Sequence, residues 1–192
     1  MTTLILGLFI FLGTHSVRIF ADDWRSVQVS EYGEKAWKGG YTLVSLLGFG
    51  LIIWGYVVAR QAPTVLWIPP IATRHIAALL TLISFILLAA AYVPRNSIKA
   101  GLHHPMVLGV AIWAFAHLLA NGTLADVILF GSFLVWAILS FLAARKRDRL
   151  ANIQYPSGTS GGTIAAVVTG AVAWALFAFW LHGLLIGVRP FS

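Results

Sequence analysis

Six apolar stretches, separated only by short polar loops, constrain this 192-residue chain more than any other feature. A helix needs about 20 predominantly apolar residues to cross a hydrocarbon core of about 30 Å. The stretches run Thr3–Phe20, Tyr41–Ala59, Ile71–Val93, Pro105–Asn121, Leu124–Ala144 and Thr163–Val188. They predict an all-α, polytopic membrane helical bundle of about six transmembrane helices. The fourth stretch is the shortest and reads as a partial or tilted crossing. Only Asn121, Gly122 and Thr123 join it to the fifth, so these two form a tight antiparallel hairpin. Charged residues make up 10% of the chain, against about 25% in a soluble domain. No polar stretch is long enough for a separate soluble domain, and residues 1–192 read as one transmembrane domain. The start, MTTLILGLFIFLGTHSVRIF, has neither a positive leading region nor an A-x-A cleavage site, which predicts a retained first span.

Charge sets the orientation. The formal net charge is +7, but the basic residues lie in inter-helix loops and form no soluble patch for nucleic acid. Loops after the first, third and fifth spans hold Arg18, Arg25, Lys35, Lys38, Arg95, Lys99, Arg145, Lys146, Arg147 and Arg149. The opposite side holds Arg60, Arg74 and Arg189. By the positive-inside rule both termini face away from the cytoplasm. Between the first two spans, residues 21–40 balance acids and bases around Trp24, Tyr32 and Trp37, as in a segment lying in the membrane interface. The RKRDR run at Arg145–Arg149 reads as a headgroup anchor, and the segment Tyr155–Gly162 as a flexible polar turn. Gly162, Ala166 and Gly170 recur every four residues, as do Gly183 and Gly187, a spacing that suits close helix packing within the bundle. The sequence assigns no oligomeric state.

The chain has no cysteine, which excludes disulfides, thiolate-ligated haem and iron–sulfur clusters. Histidine carries the candidate chemistry. An ionisable side chain inside an apolar run is costly and marks a functional site by default, and neutral imidazoles are axial ligands for haem iron. His15 in the first span and His117 in the fourth are offset by about one helical turn when counted from the span ends, so they form one feasible ligand pair. Arg18, three residues after His15, shares its helix face and suits a haem propionate or another anion. Asn121, four after His117, suits a supporting contact to its imidazole, and Trp113 continues the same face as a pocket wall. His75 and His182, both near the outer side, form a rival depth-matched pair. His103 and His104 precede Pro105 and read as a helix cap or interface lining. No H-E-x-x-H spacing supports a zinc hydrolase.

The segments LGTHSVRIF, GEKAWKGGYTLVSLLGFGLIIWGY and HHPMVLGVAIWAFAHLLANGTLADVILFGSFLVWAIL resemble the NnrU family of bacterial membrane proteins over essentially the whole chain. That resemblance implies an inner-membrane protein with periplasmic termini, linked to nitrite and nitric-oxide metabolism or its regulation. The same domain is similar to that of zeta-carotene isomerase, which binds haem b through histidines and isomerises a carotenoid double bond. Matched by motif, the implied haem ligands are His15 and His117. The isomerase branch also has a cysteine shortly before the second histidine, and this chain lacks it. The resemblance therefore implies haem b, a lipid bilayer partner and a small apolar or gaseous ligand. It leaves two functional readings, a nitrogen-oxide protein or a haem-dependent isomerase, beside a non-enzymatic membrane scaffold.

Overall fold

The computed structural model describes residues 1–191 as nine α-helices. Helix α1 (Thr2–Phe20) turns at Ala21 into α2 (Asp22–Tyr32), and Gly33 at φ 84° passes the chain into α3 (Glu34–Ala59). After a long loop come α4 (Ile71–Tyr92), the short α5 (Ser97–Leu102), α6 (Pro105–Ala120) and α7 (Leu124–Leu150). The last crossing is α8 (Ser160–Leu176), a π-helical turn at Phe177–Leu181, and α9 (His182–Ile186). Five crossings are long and apolar enough to span a membrane, and α6 is a shorter apolar helix. Exposed Phe9, Leu43 and Leu184 suit a lipid-facing surface, since burial against lipid replaces burial in a core.

The helix ends follow local chemistry. Asn96 caps α5 by accepting from the Lys99 amide, Thr159 caps α8, and Pro105 opens α6 where its missing N–H is harmless. Thr123 and Asp126 form a reciprocal capping box at the start of α7. Helices α3 and α7 extend past their apolar stretches, starting at Glu34 and ending at Leu150. Hydropathy marks the part in lipid, whereas backbone hydrogen bonding carries the helix on into the polar interface.

Packing follows the order α3, α1, α7, α6, α4, α8. The α1–α3 seam is built on glycine: a Cβ on Gly7, Gly48 or Gly55 would fall on the backbone of the facing helix. Gly162, Ala166 and Gly170 do seat α8 inside the bundle, with Ala166 fully buried and Gly170 against Ile86 of α4. The matching expectation for Gly183 and Gly187 fails. Gly187 is the left-handed cap that ends α9, with φ 76° and open space where a Cβ would sit. At the end away from most basic residues, hereafter the far end, the loop after α3 docks on the α6–α7 turn. The Leu66 and Trp67 amides both donate to the Gly122 carbonyl, and the Leu124 amide donates to Thr64. There, too, Arg60 Nη1 donates to the Ile186 carbonyl at 2.7 Å, tying the end of α3 to the end of α9.

Candidate functional site

Helix α7 is the wall on which the candidate residues meet. Its Ala125, Leu129 and Phe130 form one buried cluster with Leu4 and Leu8 of α1, Ile52 of α3 and Ala114 of α6. Around that cluster α1 contributes Phe11 and His15, and α6 contributes Trp113 and His117.

Each imidazole is oriented by its own helix. His15 Nδ1 lies 2.7 Å from the Phe11 carbonyl, and His117 Nδ1 lies 2.8 Å from the Trp113 carbonyl. A carbonyl oxygen only accepts, so each Nδ1 donates a proton and each Nε2 keeps its lone pair. With Nδ1 engaged by a backbone carbonyl, Nε2 is the nitrogen left to ligate a metal. His15 stacks on Phe11 at 4.1 Å, with Tyr41 at 5.1 Å and the Trp136 edge at 6.0 Å. His117 stacks on Phe130 at 4.5 Å, with Trp113 tilted against it at 5.1 Å, so Trp113 is the wall its spacing suggested.

The structure does not bring the two imidazoles together. A run of rings lies between them, from Phe11 to Phe133 at 5.8 Å and from Phe133 to Trp113 at 5.6 Å. On α7, His117 touches Phe130 and His15 touches Trp136, a difference of roughly 9 Å of axial rise. Counting residues into each span takes both spans to fill the same membrane thickness, whereas the contacts on α7 set the offset directly. The supporting residues also differ from expectation. Asn121 Nδ2 donates to the His117 carbonyl at 2.9 Å, so it holds the end of α6 and not the imidazole. Arg18 pairs at the surface with Asp22 at 3.4 Å, while its carbonyl accepts from Arg147. His75 is exposed on α4, and His182 turns its Nδ1 to the Val188 carbonyl at 2.6 Å.

His103 and His104 belong to a separate cluster at the basic end. His104 pairs with Asp148 at 2.8 Å, and His103 contacts Arg145 at 3.3 Å and stacks flat on Tyr155 at 4.2 Å. The Tyr155 hydroxyl donates to Asp148 at 2.8 Å. Burial and this carboxylate push the Tyr155 phenol up to about 12. The contact therefore contributes fully below the ordinary tyrosine range near 10 and is lost as pH rises through about 12. The RKRDR run thus staples the loop before α8 to the start of α6, besides any role at lipid headgroups.

Sequence spacing missed Tyr56 and Asp126. The Tyr56 hydroxyl donates to Asp126 at 2.6 Å across 70 residues, and Asp126 is only 5% exposed. Its other oxygen accepts from the Thr123 hydroxyl at 2.6 Å and the Thr123 amide at 3.1 Å. The one available signal was an acid lying just past the hairpin turn.

Among the described residues no three His, Asp or Glu side chains gather as a metal-binding group. A single imidazole with a free Nε2 would suit a group that brings most of its own donors, as a porphyrin does, and would supply one nitrogen to its metal. His117, with Nδ1 held by Trp113 and its ring between Phe130 and Trp113, is the residue that would hold such a group. The sequence model of the family described as NnrU protein matches residues 3–190. No curated protein and no solved structure matches the chain.

Proposed function

Because this chain belongs to the NnrU family, we propose that it is a haem b protein of the bacterial inner membrane, acting in nitrite and nitric-oxide metabolism or its regulation. The observation that carries the reading is the His117 imidazole, held by the Trp113 carbonyl with Nε2 free among Phe130 and Trp113. When bound, haem supplies an iron that takes diatomic ligands. The protein's own residues orient the ligating nitrogen and exclude water around it. His15 offers a second imidazole of the same tautomer, lower in the bundle. The positive-inside asymmetry supports periplasmic termini, which puts His117 nearer the periplasmic side.

The purified protein is expected to show a Soret band, and nitric oxide is expected to shift it. In His117→Ala the band is expected to be lost or strongly weakened, at unchanged helix content by circular dichroism. A well-folded wild type without haem would overturn the reading.

A second reading, haem-dependent cis–trans isomerisation of an isoprenoid polyene, draws on one observation. A groove of about 580 Å³ runs between α1 and α7, lined by Leu8, Leu12, Ile128, Val135 and Trp136 among others. Trp136 is also the residue whose edge meets His15. Co-expression with a poly-cis carotene tests it, and an unchanged carotene profile counts against it.

A further inference from the structure

A second cavity lies at the basic end, between the end of α1, the interfacial helix α2 and the start of α3. It measures about 420 Å³, within the range of about 300–1,000 Å³ that small-molecule sites occupy. Helical spacing builds its walls. Trp24, Gln28 and Tyr32 recur every four residues along one face of α2, and Trp37 and Tyr41 repeat that spacing on α3. Trp24 packs edge-on against Trp37 at 5.7 Å, which joins the two walls. Gly40 keeps the space between them open, since a Cβ there would meet nothing within 4 Å.

The chemistry of the lining selects the ligand. Among the described residues, none that lines the cleft is charged. Charges nearby engage other partners: Arg18 pairs with Asp22 at 3.4 Å, Lys38 with Glu34 at 2.7 Å, and Arg25 sits over the Trp37 ring at 5.9 Å. A phosphate headgroup would find no guanidinium or ammonium in the lining. A quaternary ammonium would compete with Arg25 for the Trp37 ring. A bare acyl chain would make no use of Gln28 and Tyr32, neither of which has a hydrogen-bond partner among the described residues. Both side chains can donate to a carbonyl oxygen. Toward the apolar core, the Thr14 hydroxyl is taken by the Ile10 carbonyl at 2.7 Å and Val44 is exposed, so an apolar tail would leave toward lipid.

We infer that this cleft binds a membrane quinone, a flat uncharged ring that bears carbonyl oxygens and an isoprenoid tail. The ring lies among Trp24, Trp37 and Tyr41, and its carbonyls take hydrogen bonds from Gln28 and Tyr32. The Tyr41 ring is also 5.1 Å from that of His15, so the cleft adjoins the lower of the two candidate imidazoles. The inference holds whether or not the protein carries haem.

The test titrates decylbenzoquinone into the purified full-length protein in phosphatidylcholine nanodiscs and follows the quenching of tryptophan fluorescence. The wild type is expected to show a saturable phase, and an azido analogue of the same quinone is expected to label α2 or the first turns of α3. Gly40→Leu fills the cleft without meeting the fold, and is expected to weaken the saturable phase about tenfold or more at unchanged helix content. Gly39→Leu, one residue away and outside the lining, is expected to bind as the wild type does. Gln28→Leu is expected to weaken binding about two- to tenfold, the loss of one hydrogen bond. Quenching that never saturates, or that saturates equally in Gly40→Leu, overturns the inference. Loss of the saturable phase when phosphatidylglycerol replaces phosphatidylcholine also overturns it, and assigns the cleft to a lipid headgroup.

Discussion

Gly55→Val is expected to destabilise the bundle by about 3 kcal/mol or more, at the upper end of what overpacking costs. The reason is backbone contact. A Cβ at Gly55 would fall on the Leu4 and Thr3 backbone, and a helix backbone cannot rotate away as a side chain can. Gly48 is the next tightest on α3, its Cβ position lying 2.7 Å from the Phe11 amide nitrogen. In lipid no hydrophobic force holds α1 to α3, so close van der Waals contact carries the seam and any spreading loses it directly. Gly50 of the same helix supplies the control. A Cβ there meets nothing within 4 Å, so Gly50→Ala is expected to be neutral or to stabilise by up to about 1 kcal/mol through helix propensity. Thermal or SDS unfolding in detergent micelles should separate the two. Equal effects at Gly55 and Gly50 would sink the account of the seam.

That contrast shows what a linear reading can and cannot supply. Hydropathy locates the crossings to within a few residues, since each apolar stretch must lie in lipid whatever it packs against. The GxxxAxxxG spacing at Gly162 is legible because all its members lie on one helix. The Gly7, Gly48 and Gly55 seam is not, since its members sit on two helices whose register only the fold sets. The relative depth of the histidines is hard to read for a related reason. His15 and His117 are about one turn apart in depth when counted along their spans, whereas the α7 residues they meet, Trp136 and Phe130, lie six positions apart. The π turn before His182 leaves no composition signal, and a one-residue insertion there changes the facing of everything after it. Local chemistry, by contrast, carries through. The tight α6–α7 hairpin and the Trp113 wall each follow from neighbours within four residues.

Asp126→Ala is expected to cost about 3 kcal/mol or more. Asp126 is 5% exposed and accepts from Tyr56, from the Thr123 hydroxyl and from the Thr123 amide. Hydrogen bonds to a charged group contribute about 1.5–3 kcal/mol each, and orphaned buried donors add their own desolvation cost. Tyr56→Phe removes only one donor and leaves the capping box intact, so about 1 kcal/mol is expected. The double variant should be little worse than Asp126→Ala alone, because Tyr56 has then already lost its acceptor. Unfolding midpoints of the four proteins measure this coupling, and strictly additive losses would refute it. The consequence reaches the site through geometry. Asp126 fixes the start of α7 four residues before Phe130, the ring on which His117 stacks. A frayed first turn of α7 therefore frees the floor beneath the imidazole. Asp126→Ala is expected to weaken haem retention together with stability. Tyr56→Phe, with the capping box in place, is expected to leave the Soret band at its wild-type position.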